Sequence, residues 1–158
     1  MKHAALLKNP IHFLSLGFGS GLAPKAPGTF GTLAAIPVVI LAACLGTVGF
    51  MIATVLACLV GIYFCGYTAK AMGEHDHPAI VWDEIAGFMV AMIALPISWQ
   101  TLLAAFILFR IFDILKPWPI RYLDKHVHGG LGIMLDDILA GLASLAILHA
   151  LLAYGIIA

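Results

Sequence analysis

The chain has 158 residues, of which 63% are hydrophobic and only 10% are charged, and its formal net charge is zero. A soluble domain normally carries about 25% charged residues, so this composition argues against a soluble domain and predicts an integral membrane protein. The neutral balance gives no reason to expect a nucleic-acid partner.

The uncharged runs of the chain are long enough to cross a membrane about five times. At 1.5 Å of rise per residue, a hydrocarbon core of ~30 Å needs roughly 20 apolar residues. We therefore predict one domain over residues 1–158, an all-α polytopic membrane bundle of about five transmembrane helices. The predicted crossings are residues 33–45, 50–71, 79–95, 101–115 and 131–154.

A Gly/Pro-rich segment, residues 17–32 (GFGSGLAPKAPGTFGT), precedes the first predicted crossing. Its five glycines and two prolines oppose a regular helix, so we predict a loop. Glycine-rich backbone can cradle phosphate oxygens, which makes Lys25 and Thr29 candidate substrate-binding residues. A structural re-entrant turn is an equally good interpretation. The segment lacks the GK[ST] of a P-loop, so a nucleotide is not indicated.

The charged residues predict the topology. They fall in the N-terminal segment and in two loop regions, residues 70–84 and 110–137, whereas the turns at 46–49 and 96–100 carry none. With five crossings, the three charged regions lie on one side of the membrane. Because they include every Lys and Arg, the positive-inside rule makes that side cytoplasmic.

Two acidic pairs, Asp83-Glu84 and Asp136-Asp137, are predicted to begin membrane helices. A glycine follows one acid of each pair by four residues (Gly87 and Gly141), where it would let another helix approach closely. Four carboxylates brought together would repel one another without a cation, and Mg²⁺ prefers oxygen ligands. We therefore predict a metal site at Asp83, Glu84, Asp136 and Asp137. The alternative is that these acids only stabilise the helices, by a favourable interaction with the positive N-terminal end of each helix dipole.

Arg110, Asp113 and Lys116 are spaced three residues apart where an apolar run ends. One interpretation is a phosphate clamp, in which Asp113 orients Arg110 or joins the metal. The other is an internal ion pair, with Lys116 reaching the headgroups. Asp76 lies between His75 and His77 in a polar loop that is interpreted as solvated, with a transition-metal site at these three residues as the less favoured alternative. Asp124 is expected to pair with Arg121 or Lys125.

Three stretches together resemble the phosphatidylglycerophosphatase A family: GFGSGLAPKAPGTFGTL at 17–33, HDHPAIVWDEIAGF at 75–88, and residues 109–141 from FRIFDILKPWPIRYLD to HGGLGIMLDDILAG. The resemblance implies a Mg²⁺-dependent phosphatase of the bacterial inner membrane. Its substrate would be the lipid phosphatidylglycerophosphate, and its product phosphatidylglycerol. We expect the active site on the cytoplasmic face, at the depth of the lipid headgroups.

The expected mechanism assigns three sets of residues. Catalytic roles go to Asp83, Glu84, Asp113 and Asp137; substrate binding to Lys25, Thr29, Arg110 and Lys116; and one or two Mg²⁺ ions to Asp83, Glu84, Asp136 and Asp137. Direct attack by water is favoured because no Cys-x5-Arg or DxDx[TV] motif is present. An aspartyl nucleophile stays open, as does the oligomeric state.

Two other functions compete with this interpretation. A CDP-alcohol phosphotransferase also uses acids in a membrane, but its long DG…AR…G…D…D pattern is missing from the sequence. A small transporter or ion-pathway protein would use the carboxylates as cation sites. Transport predicts charges near mid-membrane or on both faces, whereas here they lie on one.

Overall fold

The computed structural model describes residues 4–158 and contains, within that range, seven α-helices and no strand. The predicted all-helical fold is therefore confirmed. Two short 3₁₀ turns, Ala4–Lys8 and Ser20–Leu22, lie near the N-terminus. The helices are α1 (Pro10–Ser15), α2 (Pro27–Ala43), α3 (Gly46–Met72), α4 (Trp82–Ala91), α5 (Trp99–Leu115), α6 (Ile120–His126) and α7 (Gly129–Ala153).

Helix α4 forms the centre of the bundle. Every residue from Asp83 to Ala91 is buried, and α4 packs against α2, α3, α5 and α7. Its ten residues rise about 15 Å, which is too short to cross a bilayer. The predicted crossing at 79–95 is therefore not one continuous helix, since the chain leaves the helix after Ala91 and turns at Ala94, whose φ is 59°.

Helices α3 and α7, of 27 and 25 residues, are long and apolar enough to cross a membrane. Helix α2 is apolar but shorter, with 17 residues. Among the described residues, the structure thus contains two candidate membrane-spanning helices, and the count of about five stays a prediction.

Helix α2 begins earlier than predicted, so the second half of the Gly/Pro-rich segment is helical rather than a loop. Pro27 occupies the first turn, where a missing N–H costs nothing. The Thr32 hydroxyl donates to the carbonyl of Gly28 within the helix (2.8 Å). A Cβ on Gly31 would lie 2.5 Å from the Cβ of Val81. The glycines of α2 therefore permit close packing instead of flexibility.

The starts of α3 and α7 also lie earlier than expected. The predicted turn at 46–49 is the first turn of α3, and α7 begins at Gly129, two residues before the predicted crossing at 131–154. A Cβ on Gly130 would clash with the carbonyl oxygen of Ile62, so this glycine lets α7 contact α3. Asp136-Asp137 consequently lies about 10 Å into α7. The prediction that this pair begins a helix is wrong, and it cannot serve as an N-terminal cap.

The predicted close approach of two glycine-bearing helices is confirmed at the crossing of α4 and α7. A Cβ on Gly87 would lie 2.7 Å from the carbonyl oxygen of Asp137, and a Cβ on Gly141 would clash with the carbonyl oxygen of Gly87. The two backbones are therefore in direct contact. This contact brings the first turn of α4, which carries Asp83, beside Asp137.

Candidate active site

A polar cavity of about 260 Å³ lies where α4 begins and α5 ends. Two cations, Arg110 and Lys116, line it. It is also lined by six carboxylates of the described chain: Asp76, Asp83, Glu84, Asp113, Asp136 and Asp137. If all are ionised, the lining carries an excess of four negative charges. The structure thus gathers in one place acids that are more than 50 residues apart in the chain.

Asp83 and Glu84 of α4 and Asp137 of α7 form what we call the inner carboxylate group. One potential ligand atom from each lies within 4.8 Å of the others. The three residues are only 5%, 9% and 2% exposed. Their buried oxygens Asp83 Oδ1, Glu84 Oε2 and Asp137 Oδ2 find no hydrogen-bond partner in the part of the chain that the structure describes.

Three carboxylates, each with one buried oxygen that lacks a partner, cannot all stay ionised in so small a space. Burying an unpaired ion costs several kcal/mol, so the inner carboxylate group must take up protons or a cation. Its ligands are all oxygen, and the adjoining cavity leaves room for water and phosphate. Both properties fit Mg²⁺.

Arg110 is held against this group by its neighbours. Its Nη1 donates to Asp113 Oδ2, whereas its buried Nε has no partner among the described residues. A Cβ on Gly28 would lie 3.0 Å from Arg110 Nη1 and 3.2 Å from Glu84 Oε1. The start of α2 therefore covers the guanidinium, and a side chain at Gly28 would push the guanidinium by a few tenths of an ångström. Gly28 was not among the predicted site residues. The sequence feature that could have pointed to it is the Pro27-Gly28 step before an apolar run.

Lys116 caps α5 in a left-handed conformation (φ 47°) and turns into the cavity. Its Nζ lies 3.5 Å from Asp136 Oδ2, so it contacts an acid rather than reaching for headgroups. Burial by itself would lower the pKa of Lys116. The carboxylates of Asp137 and Asp136 outweigh this effect, and the pKa lies above its ordinary value.

Asp136 does not join the inner carboxylate group, although Asp137 does. Its carboxylate lies with those of Asp76 and Asp124, and potential ligand atoms of the three lie within 4.8 Å of one another. Neighbouring helical residues point about 100° apart, so the two aspartates face different ways. The sequence predicts this difference in direction once both residues are placed inside a helix. It does not predict that Asp76 and Asp124 lie close to Asp136.

The remaining predicted residues lie at the margin. Lys25 is exposed and Thr29 is half-buried, and in the described chain neither lines the cavity, although Pro27 and Gly28 between them do. Their role in substrate binding stays a prediction. His77 does line the cavity. Its Nδ1 accepts a hydrogen bond from the N–H of Ala79, and its Nε2 lies 3.4 Å from Glu74 Oε2.

Comparison with known proteins identifies the family. The family model described as Phosphatidylglycerophosphatase A matches residues 13–152. Phosphatidylglycerophosphatase A of Escherichia coli is 51% identical over 144 residues, which cover 90% of this chain and 84% of that protein. The protein of the same name from Haemophilus influenzae is 52% identical over 153 residues, which cover 96% of this chain and 93% of that protein. No solved structure matches the chain. The chain therefore belongs to the phosphatidylglycerophosphatase A family.

Proposed function

We propose that this protein is a Mg²⁺-dependent lipid phosphatase that hydrolyses the phosphomonoester of phosphatidylglycerophosphate to phosphatidylglycerol and phosphate. Both relatives described above are named for this activity. The observation that carries the proposal is the inner carboxylate group, whose unpartnered oxygens face a cavity shared with Arg110 and Lys116. The relatives do not favour the transporter alternative.

The charge of the cavity explains why a cation is needed. A phosphate monoester carries up to two negative charges, and it would be repelled by a lining with four negative charges in excess. Asp83, Glu84 and Asp137 would hold Mg²⁺, whereas Asp136 lies with Asp76 and Asp124. When bound, the ion supplies Lewis-acid chemistry, polarising the phosphoryl group and offsetting charge on the leaving oxygen.

The chain's own side chains bind and orient the substrate. Arg110 offers the phosphoryl oxygens the donors that Asp113 does not engage, and Asp113 fixes the plane of the guanidinium. Lys116 adds a second positive charge at the cavity wall. A cavity carboxylate accepts a proton from the attacking water. The new P–O bond forms to that water, and the bond to the glycerol oxygen breaks. The protonated carboxylate then gives its proton to this oxygen, which leaves as an alcohol.

We further propose that the chain is a single domain crossing the bacterial inner membrane five times, with the cavity at the cytoplasmic face. The crossings would be α2, α3, α4 with the residues that follow it, α5 and α7. Support comes from the position of the charges. Lys70 lies in the last turn of α3, Asp83 in the first turn of α4, and Lys116 directly after α5. These three ends lie at one side of the bundle, which would place the cavity at the depth of the lipid phosphates.

The test is phosphate release by the purified protein in detergent. Phosphatidylglycerophosphate is supplied with Mg²⁺, with EDTA, and with EDTA followed by excess Mg²⁺, and phosphatidic acid serves as the comparison lipid. We expect release that stops in EDTA, returns with Mg²⁺ and is faster for phosphatidylglycerophosphate. Full activity in EDTA would contradict the role of the metal. Release from phosphatidic acid alone would contradict the substrate.

A further inference from the structure

We propose that Asp76, Asp124 and Asp136 bind a second divalent cation, separate from the one at the inner carboxylate group. We call these residues the outer carboxylate group. The catalytic use of this second ion rests on the proposed function, but its binding does not. The ligand class is a hard divalent cation, Mg²⁺ or Mn²⁺, held by carboxylate oxygens.

Three separate elements supply the outer carboxylate group. Asp76 comes from the loop between α3 and α4, Asp124 from α6 and Asp136 from α7. One potential ligand atom from each lies within 4.8 Å of the others, and Asp76 and Asp136 line the active-site cavity. The second ion would therefore face the same substrate phosphate as the first.

Asp136 supplies the observation that points to a ligand. It is only 2% exposed, and its Oδ1 has no hydrogen-bond partner within residues 4–158. Its other oxygen, Oδ2, lies 3.5 Å from the Nζ of Lys116. The Lys116 ammonium thus compensates one oxygen of this buried carboxylate. The same carboxylate lies beside the carboxyl of Asp124, so the two acids need either a shared proton or a cation between them. A cation beside Oδ1 removes the cost of burying it.

Lys116 cannot supply the missing charge by itself. It is a single ammonium beside the three acids of the outer carboxylate group, and it also interacts with Asp137 and Asp113. The cavity lining as a whole has four negative charges in excess. One divalent cation at the inner carboxylate group leaves two of them. A second offsets these two before the phosphate enters, so that only the negative charge of Asp124, a ligand that does not line the cavity, is left to repel it.

The two groups are close but distinct. Asp136 and Asp137 are adjacent on α7 and point about 100° apart, which directs one to each group. Each group can therefore be removed without touching the ligands of the other. Asp124 is half-buried and Asp76 is exposed, so amide substitutions at these positions leave the core packing intact.

The experiment counts Mn²⁺ ions bound to the purified full-length protein, by following free Mn²⁺ with electron paramagnetic resonance. We expect two ions per chain for the unmodified protein. Asp124→Asn and Asp76→Asn should each bind one ion, at the inner carboxylate group. Asp137→Asn should bind one ion at the outer carboxylate group. The matched control is Glu74→Gln. Glu74 is an acid of the same loop as Asp76, with a side chain 63% exposed and outside both groups, and this variant should bind two.

The elution volume in size-exclusion chromatography and the midpoint of thermal unfolding show whether each variant is folded. Two variants of the outer carboxylate group are used, so that the test still stands if one of them does not fold. Two ions in both Asp124→Asn and Asp76→Asn would overturn the second site. One ion in the unmodified protein, lost in Asp137→Asn alone, would remove the second site and leave the proposed function standing. Absence of any bound Mn²⁺ would overturn both.

Discussion

The contact between α4 and α7 predicts that a single methyl group at Gly87 damages catalysis. A Cβ there would lie 2.7 Å from the carbonyl oxygen of Asp137 and 2.7 Å from Cε1 of Phe109. The first of these atoms belongs to the backbone of a residue in the inner carboxylate group. Gly87→Ala therefore acts on the site although its own side chain would lie one helical turn away from Asp83.

The size of the effect follows from the distances. Ordinary contact begins near 3.4 Å, so Asp137 must retreat by about 0.7 Å. A displacement of about 1 Å in a catalytic site can cost ~100-fold in rate, and we expect kcat/KM to fall roughly 10- to 100-fold. Overpacking costs about 1–3 kcal/mol, but alanine regains up to ~1 kcal/mol of helix propensity. Activity should therefore fall more clearly than stability.

The assay measures kcat/KM for phosphatidylglycerophosphate and the midpoint of thermal unfolding. Gly66→Ala is the matched control, because a Cβ there would meet its nearest atoms, the backbone of Gly130, at 3.4 Å. This variant makes the same chemical change in another helix crossing and should keep near-normal activity. Near-normal turnover in Gly87→Ala, or an equal loss in Gly66→Ala, would refute the reasoning.

Two further predictions concern the cations. Arg110→Lys keeps the charge but loses the planar fork, which holds Asp113 and, in the proposed mechanism, would hold substrate as well. Losing one hydrogen bond to a charged group costs about 1.5–3 kcal/mol, so kcat/KM should fall roughly 10- to 100-fold, and unchanged kinetics would count against the clamp. Lys25→Ala should change kcat/KM by less than about 3-fold, because Lys25 is exposed outside the cavity. Lys116→Ala removes the partner of Asp136 and should lower kcat/KM by at least about 10-fold. Equal losses in these two lysine variants would show that Lys25 also reaches the substrate.

Local sequence rules predicted the helices and the approach of Asp83, Glu84 and Asp137, because these depend on spacing within short stretches. The uncharged runs predicted the helical class, and the spacing from Asp83 to Gly87 and from Asp137 to Gly141 predicted the crossing that the structure contains. Glycine was misjudged where it serves packing. Gly28, Gly31 and Gly130 lie inside helices, and at each of them an atom of another residue lies close to the place that a Cβ would take. No local sequence rule identifies that residue.

The membership of the outer carboxylate group could not be predicted either. Asp76 and Asp124 are 48 residues apart, and each lies in a polar stretch that is normally solvated. Their contact with Asp136 depends on how α6 and the loop before α4 pack against α7. Only the tertiary structure contains that information.

The central claim is that carboxylates from α4 and α7 share a cation on which turnover depends. Asp137→Asn tests it most directly, because the amide keeps the shape of the side chain while it removes the charge and one of the two ligand oxygens. We expect metal-dependent phosphate release to fall by more than about 100-fold, while the protein in EDTA unfolds at a temperature no lower than the unmodified protein. Glu74→Gln, the exposed acid outside both groups, should keep its activity. Normal Mg²⁺-dependent turnover in a folded Asp137→Asn protein would contradict the account.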